Sequence, residues 1–103
     1  MRLGIVITDE AFAAHASGLL DAAFARGWQV QCFLTDTGVN LLADARFLER
    51  ARAHPDTVTV CEHSVEHHAA GRFGREGLAG PVVFGGQYQN AQLAHVCDQV
   101  LVF

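Results

Sequence analysis

The sequence predicts an α/β fold: a five-stranded parallel sheet with helices on both faces, a three-layer α/β/α sandwich formed by residues 1–103 as one domain. Three observations predict it. Short runs rich in β-branched residues alternate with segments of helical periodicity, in the order β-α-β-α-β-α-β-α-β. Strands separated by helices need crossover connections, and crossovers make neighbouring strands parallel. The 103 residues, 50% apolar and 17% charged, suffice for one core and not for two.

The first strand is Leu3–Ile7, an apolar run suited to burial on both faces. Gly4 within it permits close packing. Thr8, Asp9 and Glu10 cap a helix whose inward stripe is Phe12, Ala16, Leu19, Ala23 and Phe24, and Gly27 stops it. In Trp28–Leu34, Trp28, Val30, Cys32 and Leu34 alternate with Gln29 and Gln31, the period of a strand. The two glutamines suggest that one face of this strand is incompletely covered or meets another subunit. Thr35–Gly38 is a turn, and a second helix is expected from Val39 to Ala53, with Leu41, Leu42, Ala45, Leu48 and Ala51 inward. His54-Pro55 breaks it. Thr57–Val60 is the third strand, leading into Cys61 and a helical Glu62–Ala70. A glycine-rich stretch closes at Gly80. Pro81–Phe84 is the fourth strand, Tyr88–Cys97 the last helix and Val100–Phe103 the fifth strand.

Composition excludes several functions. Seven basic residues, all Arg, against 11 acidic ones give a net charge of −4. Nucleic-acid surfaces and polybasic membrane anchors need the opposite balance. Apolar runs such as Leu3–Ile7 and Val100–Phe103 fall far short of the about 20 residues of a membrane span. No signal-peptide pattern follows Met1, and Cys32, Cys61 and Cys97 form an odd set without a CxxC. Neither a disulfide framework nor a structural zinc site is expected, and the expected compartment is the cytoplasm.

In parallel sheets, ligands gather at the carboxyl ends of strands. Here that rule selects Thr8–Glu10, Thr35–Gly38 and Cys61–His68. Only the last carries reactive chemistry. Cys61 stands where a strand ends and a helix begins, so helix N-terminal amides and a nearby imidazolium favour its thiolate, while Glu62 and Glu66 oppose it. Such a thiolate attacks sulfur or acyl donors; a small buried thiol at a strand end is the plainer reading. His63 and His67 lie one helical turn apart and share a face. Either could act as base to Cys61. Alternatively Cys61, His63, His67 or His68 could ligate a transition metal, or line a solvated helix face. Cys32 and Cys97 read as core, Asp36 as a turn residue. No phosphate-binding glycine motif surrounds Gly38, Gly85 or Gly86, and Ser64 lacks a nucleophile elbow.

Three segments together resemble the DsrE/TusD-like family of small sulfur-transfer proteins. Phe33-Leu34-Thr35-Asp36-Thr37-Gly38-Val39 looks like that family's F-hydrophobic-x-x-D-G-V turn, with Thr37 inserted. Val58-Thr59-Val60-Cys61 is similar to the strand that delivers the family's sulfur-carrying cysteine. Cys97-Asp98-Gln99-Val100-Leu101-Val102-Phe103 resembles its closing strand. Their order and spacing span nearly the whole chain. The resemblance implies the three-layer fold, assembly into trimers or hexamers of like or related subunits, and sulfane sulfur carried on Cys61 as a persulfide. The partners implied are other sulfur carriers; no cofactor, nucleic acid or membrane is implied. Two departures stand out. Ser64 occupies the position where many relatives have a second cysteine, and the stretch after Cys61 is longer and His-rich.

The expectation is a cytoplasmic, oligomeric sulfurtransferase-like carrier with Cys61 as nucleophile and His63 and His67 as tuning groups. A non-catalytic assembly subunit and a Cys/His metal module are the alternatives.

Overall fold

In a computed structural model, which describes every residue except Arg75 and Ala79, nine main elements follow the expected alternation. They are β1 (Arg2–Ile7), α1 (Ala13–Ala25), β2 (Gln29–Leu34), α2 (Ala45–Ala53), β3 (Val58–Cys61), α3 (Glu62–His68), β4 (Val82–Gly85), α4 (Gln87–Val96) and β5 (Gln99–Val102). Short 3-10 segments occupy Glu10–Phe12, Asp36–Ala43 and Glu76–Leu78.

The sheet is wholly parallel, in the order β4-β3-β2-β1-β5. That order decides which face each helix covers. The steps β1 to β2, β2 to β3 and β3 to β4 all move the same way, so right-handed crossovers put α1, α2 and α3 on one face. The step from β4 to β5 runs back past β1, which puts α4 on the other. The core is divided accordingly. Leu3, Ile5, Ile7, Val30, Cys32, Leu34, Val58 and Val60 face α1 and α2 in the main core, whereas Val6, Phe33 and Cys61 share a smaller cluster with Leu93 of α4.

A single helix cannot cover five strands. The sheet on the α4 side stays partly bare, and Gln31 of β2 is exposed there, as its place in the sequence suggested. Gln29, also exposed, accepts a hydrogen bond from Arg2 Nε at 2.8 Å. α4 approaches β1 closely because position 4 is glycine; a Cβ there would stand 2.7 Å from Leu93 Cδ2.

Two sequence expectations need correction. The helix expected over Val39–Ala53 is two pieces, broken at Asp44. Its carboxylate accepts from the Arg46 and Phe47 amides at 3.0 and 3.1 Å and starts a new helix. Restarting turns the face: Phe47 is completely buried, and Ala45, expected inside, is exposed. In α1 the buried stripe is Ala16, Ser17, Leu20 and Ala23, with Phe12, Leu19 and Phe24 only partly covered. Phe12 lies in the 3-10 turn that precedes α1, so it does not share the helical phase of the residues that follow. Cys32 is core as expected, while Cys97 is only partly buried at the edge of the smaller cluster.

No helix among the described residues is long and apolar enough to cross a membrane.

Candidate functional site

Strand alternation aims Cys61 at the α4 side of the sheet, two residues beyond Thr59 on the same face. Its backbone is extended (φ −74°, ψ 113°) and it is the N-cap of α3. The chain therefore turns at the residue itself, and the first amides of α3 lie beside the sulfur. Cys61 pairs in register with Gly85 of β4, and the next turn supplies Gln87.

The surroundings form one hydrogen-bonded set. Ser64, in the first turn of α3, is buried, and its Oγ accepts from the Asp36 amide at 3.0 Å. It also lies 3.2 Å from Thr35 Oγ1. Gln87 Nε2 donates to Thr35 Oγ1 at 3.3 Å. A serine hydroxyl has one proton and accepts twice. Either hydroxyl can donate in the Thr35–Ser64 contact; with Gln87 donating to Thr35, donation by Thr35 to Ser64 leaves the Ser64 proton for Cys61. Gln87 has a second amide proton for the same sulfur.

These donors outweigh burial. Desolvation pushes the Cys61 thiol up, but hydrogen bonds from the Ser64 side chain, the Ser64 amide, the Gln87 side chain and the His63 amide together bring it below the usual cysteine value. The other two thiols go the opposite way. Burial alone pushes Cys32 up to about 12, and burial also raises Cys97. One thiol of three is thus set up to ionise, although only 4% of its residue surface is exposed. The small exposed area favours reagents with a small electrophilic atom.

Three loops at strand carboxyl ends converge here: Thr35–Asp36 after β2, Cys61–Ser64 after β3 and Gln87 after β4. Asp36 adopts a positive φ of 50°, uncommon for a residue other than glycine. Gly38 holds the same turn against β1, since a Cβ there would run into the Ile7 carbonyl. The Thr8–Glu10 end is structural: Asp9 caps the 3-10 turn, and Thr8 Oγ1 donates to the Phe103 carbonyl at 2.6 Å, fastening the last residue to β1.

His63 acts on Cys61 through its backbone. Its imidazole is exposed, as is that of His67, and the two rings pack edge to face with centroids 4.4 Å apart. Among the described residues no three His, Cys, Asp or Glu side chains form a metal-holding group. Sequence reasoning selected the Thr35–Gly38 turn but not its link to Cys61, and it missed the parts played by Ser64 and Gln87. Ser64 was visible as the fourth residue of C-x-x-S at a helix start. Gln87 follows the carboxyl end of β4, a place that the strand-end rule also covers.

A groove of about 260 Å³ runs beside α4 on the Cys61 face, lined by Gln31, Phe33, Thr59, Gln89, Gln92 and Leu93 among others. Its walls carry no charged group. The lack of charge extends further, for between Pro81 and Phe103 the only Asp, Glu, Lys or Arg is Asp98.

No family model matches the chain, and no curated protein matches it.

Proposed function

We propose that the protein is a sulfur carrier that holds sulfane sulfur as a persulfide on Cys61. The observation that carries this reading is the donor set around one thiol: a serine hydroxyl, two helix-start amides and a glutamine side chain, which together offset the burial that raises the other two thiols. The sequence resemblance points to the same residue.

The chemistry is thiol exchange extended by one sulfur. The Cys61 thiolate attacks the outer sulfur of a donor persulfide, R–S–SH. A bond forms from Cys61 Sγ to that sulfur, the donor S–S bond breaks, and R–S⁻ leaves. An acceptor thiolate then attacks the outer sulfur of Cys61–S–SH, and Cys61 departs as the thiolate with which it began. No net oxidation occurs. Ser64 Oγ–H, Gln87 Nε2–H and the two amides hold the sulfur anion before attack and receive it again as the leaving group. With so little of Cys61 exposed, a small terminal sulfur suits this thiol better than a bulky electrophile. A free thiol in this role belongs in a reducing compartment, so the reading includes the cytoplasm.

Incubation with polysulfide or a persulfide-loaded donor, followed by mass spectrometry, tests the reading. One added sulfur atom is expected on Cys61 and none in Cys61→Ser. No sulfur on Cys61, with the thiol open to a small alkylating agent, would sink it.

One observation favours a second reading, that of an assembly subunit. The α4 side is sparsely charged, with Arg2 and Asp98 at the amino end of the sheet, and carries exposed apolar side chains, Tyr88 at 73% and Val102 at 66% exposure among them. With −4 on each chain, such a face is where like or related subunits meet with least repulsion. If this is the whole function, Cys61→Ser leaves both complex formation and sulfur transfer by the assembled complex unchanged. A monomer by light scattering at micromolar concentration would count against the interface in either reading.

A further inference from the structure

α3 carries three of the six histidines of the chain, and the reading above uses none of their imidazoles. His63 and His67 are one helical turn apart, so both rise from the same face. Both are exposed, and their rings converge rather than splay, with centroids 4.4 Å apart and ring planes at 63°. His68 stands apart, its ring 6.2 Å from that of His67.

We propose that His63 and His67 form a two-imidazole chelate for an exchangeable divalent transition-metal ion, nickel(II) or zinc(II) in class. Imidazole nitrogen suits these ions. Metal–nitrogen bonds of about 2.0–2.1 Å place two adjacent ligand nitrogens about 3 Å apart. Rings already 4.4 Å apart on one helix face are close to that spacing, and both side chains are exposed and free of packing that would fix them. Preorganisation is what makes the pair a chelate. Once one imidazole binds, the second meets the metal at a high effective concentration, and each ligand depends on the other.

The chain supplies two ligands and water the rest, because no group of three ligating side chains forms among the described residues. The site therefore exchanges its metal and is not a closed structural centre. Exposed Glu66 on the same helix and the net charge of −4 favour a cation there. Cys61 is not a ligand. Its sulfur faces Ser64 and Gln87 beneath the surface, which separates this site from the thiolate–imidazole centre that the sequence alone left open.

Calorimetric titration of the untagged full chain with nickel(II) tests the proposal. One ion per chain is expected. His63→Gln and His67→Gln should each weaken binding by about ten-fold or more, because the remaining imidazole binds without the chelate, and the double variant should show no saturable binding. His68→Gln and Cys61→Ser should bind as the parent does. Two ions per parent chain, falling to one of unchanged affinity in each single variant, would mean two independent imidazoles and would overturn the chelate, as would loss of binding in Cys61→Ser or the absence of saturable binding in the parent. The proposal stands apart from the carrier reading, since Cys61→Ser removes the persulfide and leaves nickel binding intact.

Discussion

Replacing Ser64 by alanine isolates the contact on which the reactivity of Cys61 most depends. The Ser64 hydroxyl is the strongest of the groups that draw the thiol below its ordinary value. A hydrogen bond to a charged group contributes about 1.5–3 kcal/mol, and 1.36 kcal/mol corresponds to a factor of ten in ionisation. Losing it lowers the thiolate fraction at neutral pH by roughly 10- to 100-fold. The thiolate that remains is more basic and more nucleophilic, with a Brønsted coefficient of about 0.4–0.5, which recovers about half of the logarithm. The net expectation is alkylation of Cys61 roughly 3- to 10-fold slower at pH 7. The sign is fixed, because Ser64→Ala shifts the rate–pH inflection toward alkaline pH. Site-resolved alkylation with a small reagent across pH provides the assay, with Cys32 and Cys97 as internal references. Should Ser64→Ala react as fast as the parent, with its inflection unmoved, the donor set does not control this sulfur. A folding defect is separable by circular dichroism, since Ser64 also holds the Asp36 amide.

Two further outcomes follow from the same structure. Cys32, pushed up to about 12 by burial, keeps its proton in the folded state when the unfolded chain has lost it. Above the unfolded value near 9 the native state binds more protons, so stability falls by about 1.4 kcal/mol per pH unit up to about 12. Denaturant midpoints measured between pH 9 and 11 should decline in the parent and flatten in Cys32→Ala; equal slopes would refute this. Gly38→Ala drives a Cβ into the Ile7 backbone, which cannot rotate away. A loss of about 1–3 kcal/mol is expected, read as a melting temperature lower by about 4–8 °C per kcal/mol. An unchanged melting temperature would mean that the Asp36–Ala43 segment is not held against β1.

Much of the fold was legible because its causes are local. Alternation in Val30-Gln31-Cys32 and the stop at Gly27 lie within a few residues, and crossover chirality turns their order into a parallel sheet. The break at Asp44 was missed because Leu41, Leu42, Leu48 and Ala51 fit one continuous helix. Only the carboxylate bonding Arg46 and Phe47 reveals the restart, and with it the buried Phe47. The site divides in the same way. Cys61 could be read from its strand end. The side chains that act on it could not, because Thr35 and Gln87 are 26 residues away on either side and meet only when β2, β3 and β4 align. The sequence offered His63 and His67 as tuning groups because they are adjacent. The helix turns their rings toward each other, and only the His63 amide faces the sulfur.

The strand order links the thiol to the bare face. Because β5 lies beyond β1, the chain leaving β4 must cross the sheet, and α4 becomes the one helix of its layer. Its first residue, Gln87, is thereby set at the carboxyl end of β4, where it reaches both Thr35 and Cys61. Gly4 lets the body of the helix sink onto β1. The same crossing leaves the strips of sheet beside α4 uncovered, Val83 and Gln31 on one flank and Val100 and Val102 on the other. A second helix on this side would cover those strips and crowd the approach to Cys61. On the proposed carrier reading, that opening is where a partner would bring its own groups to the thiol and take them away on leaving. The incomplete layer and the donor set around the thiol thus have one topological cause, and both support the proposed reading of a carrier whose chemistry takes place at contact with another protein.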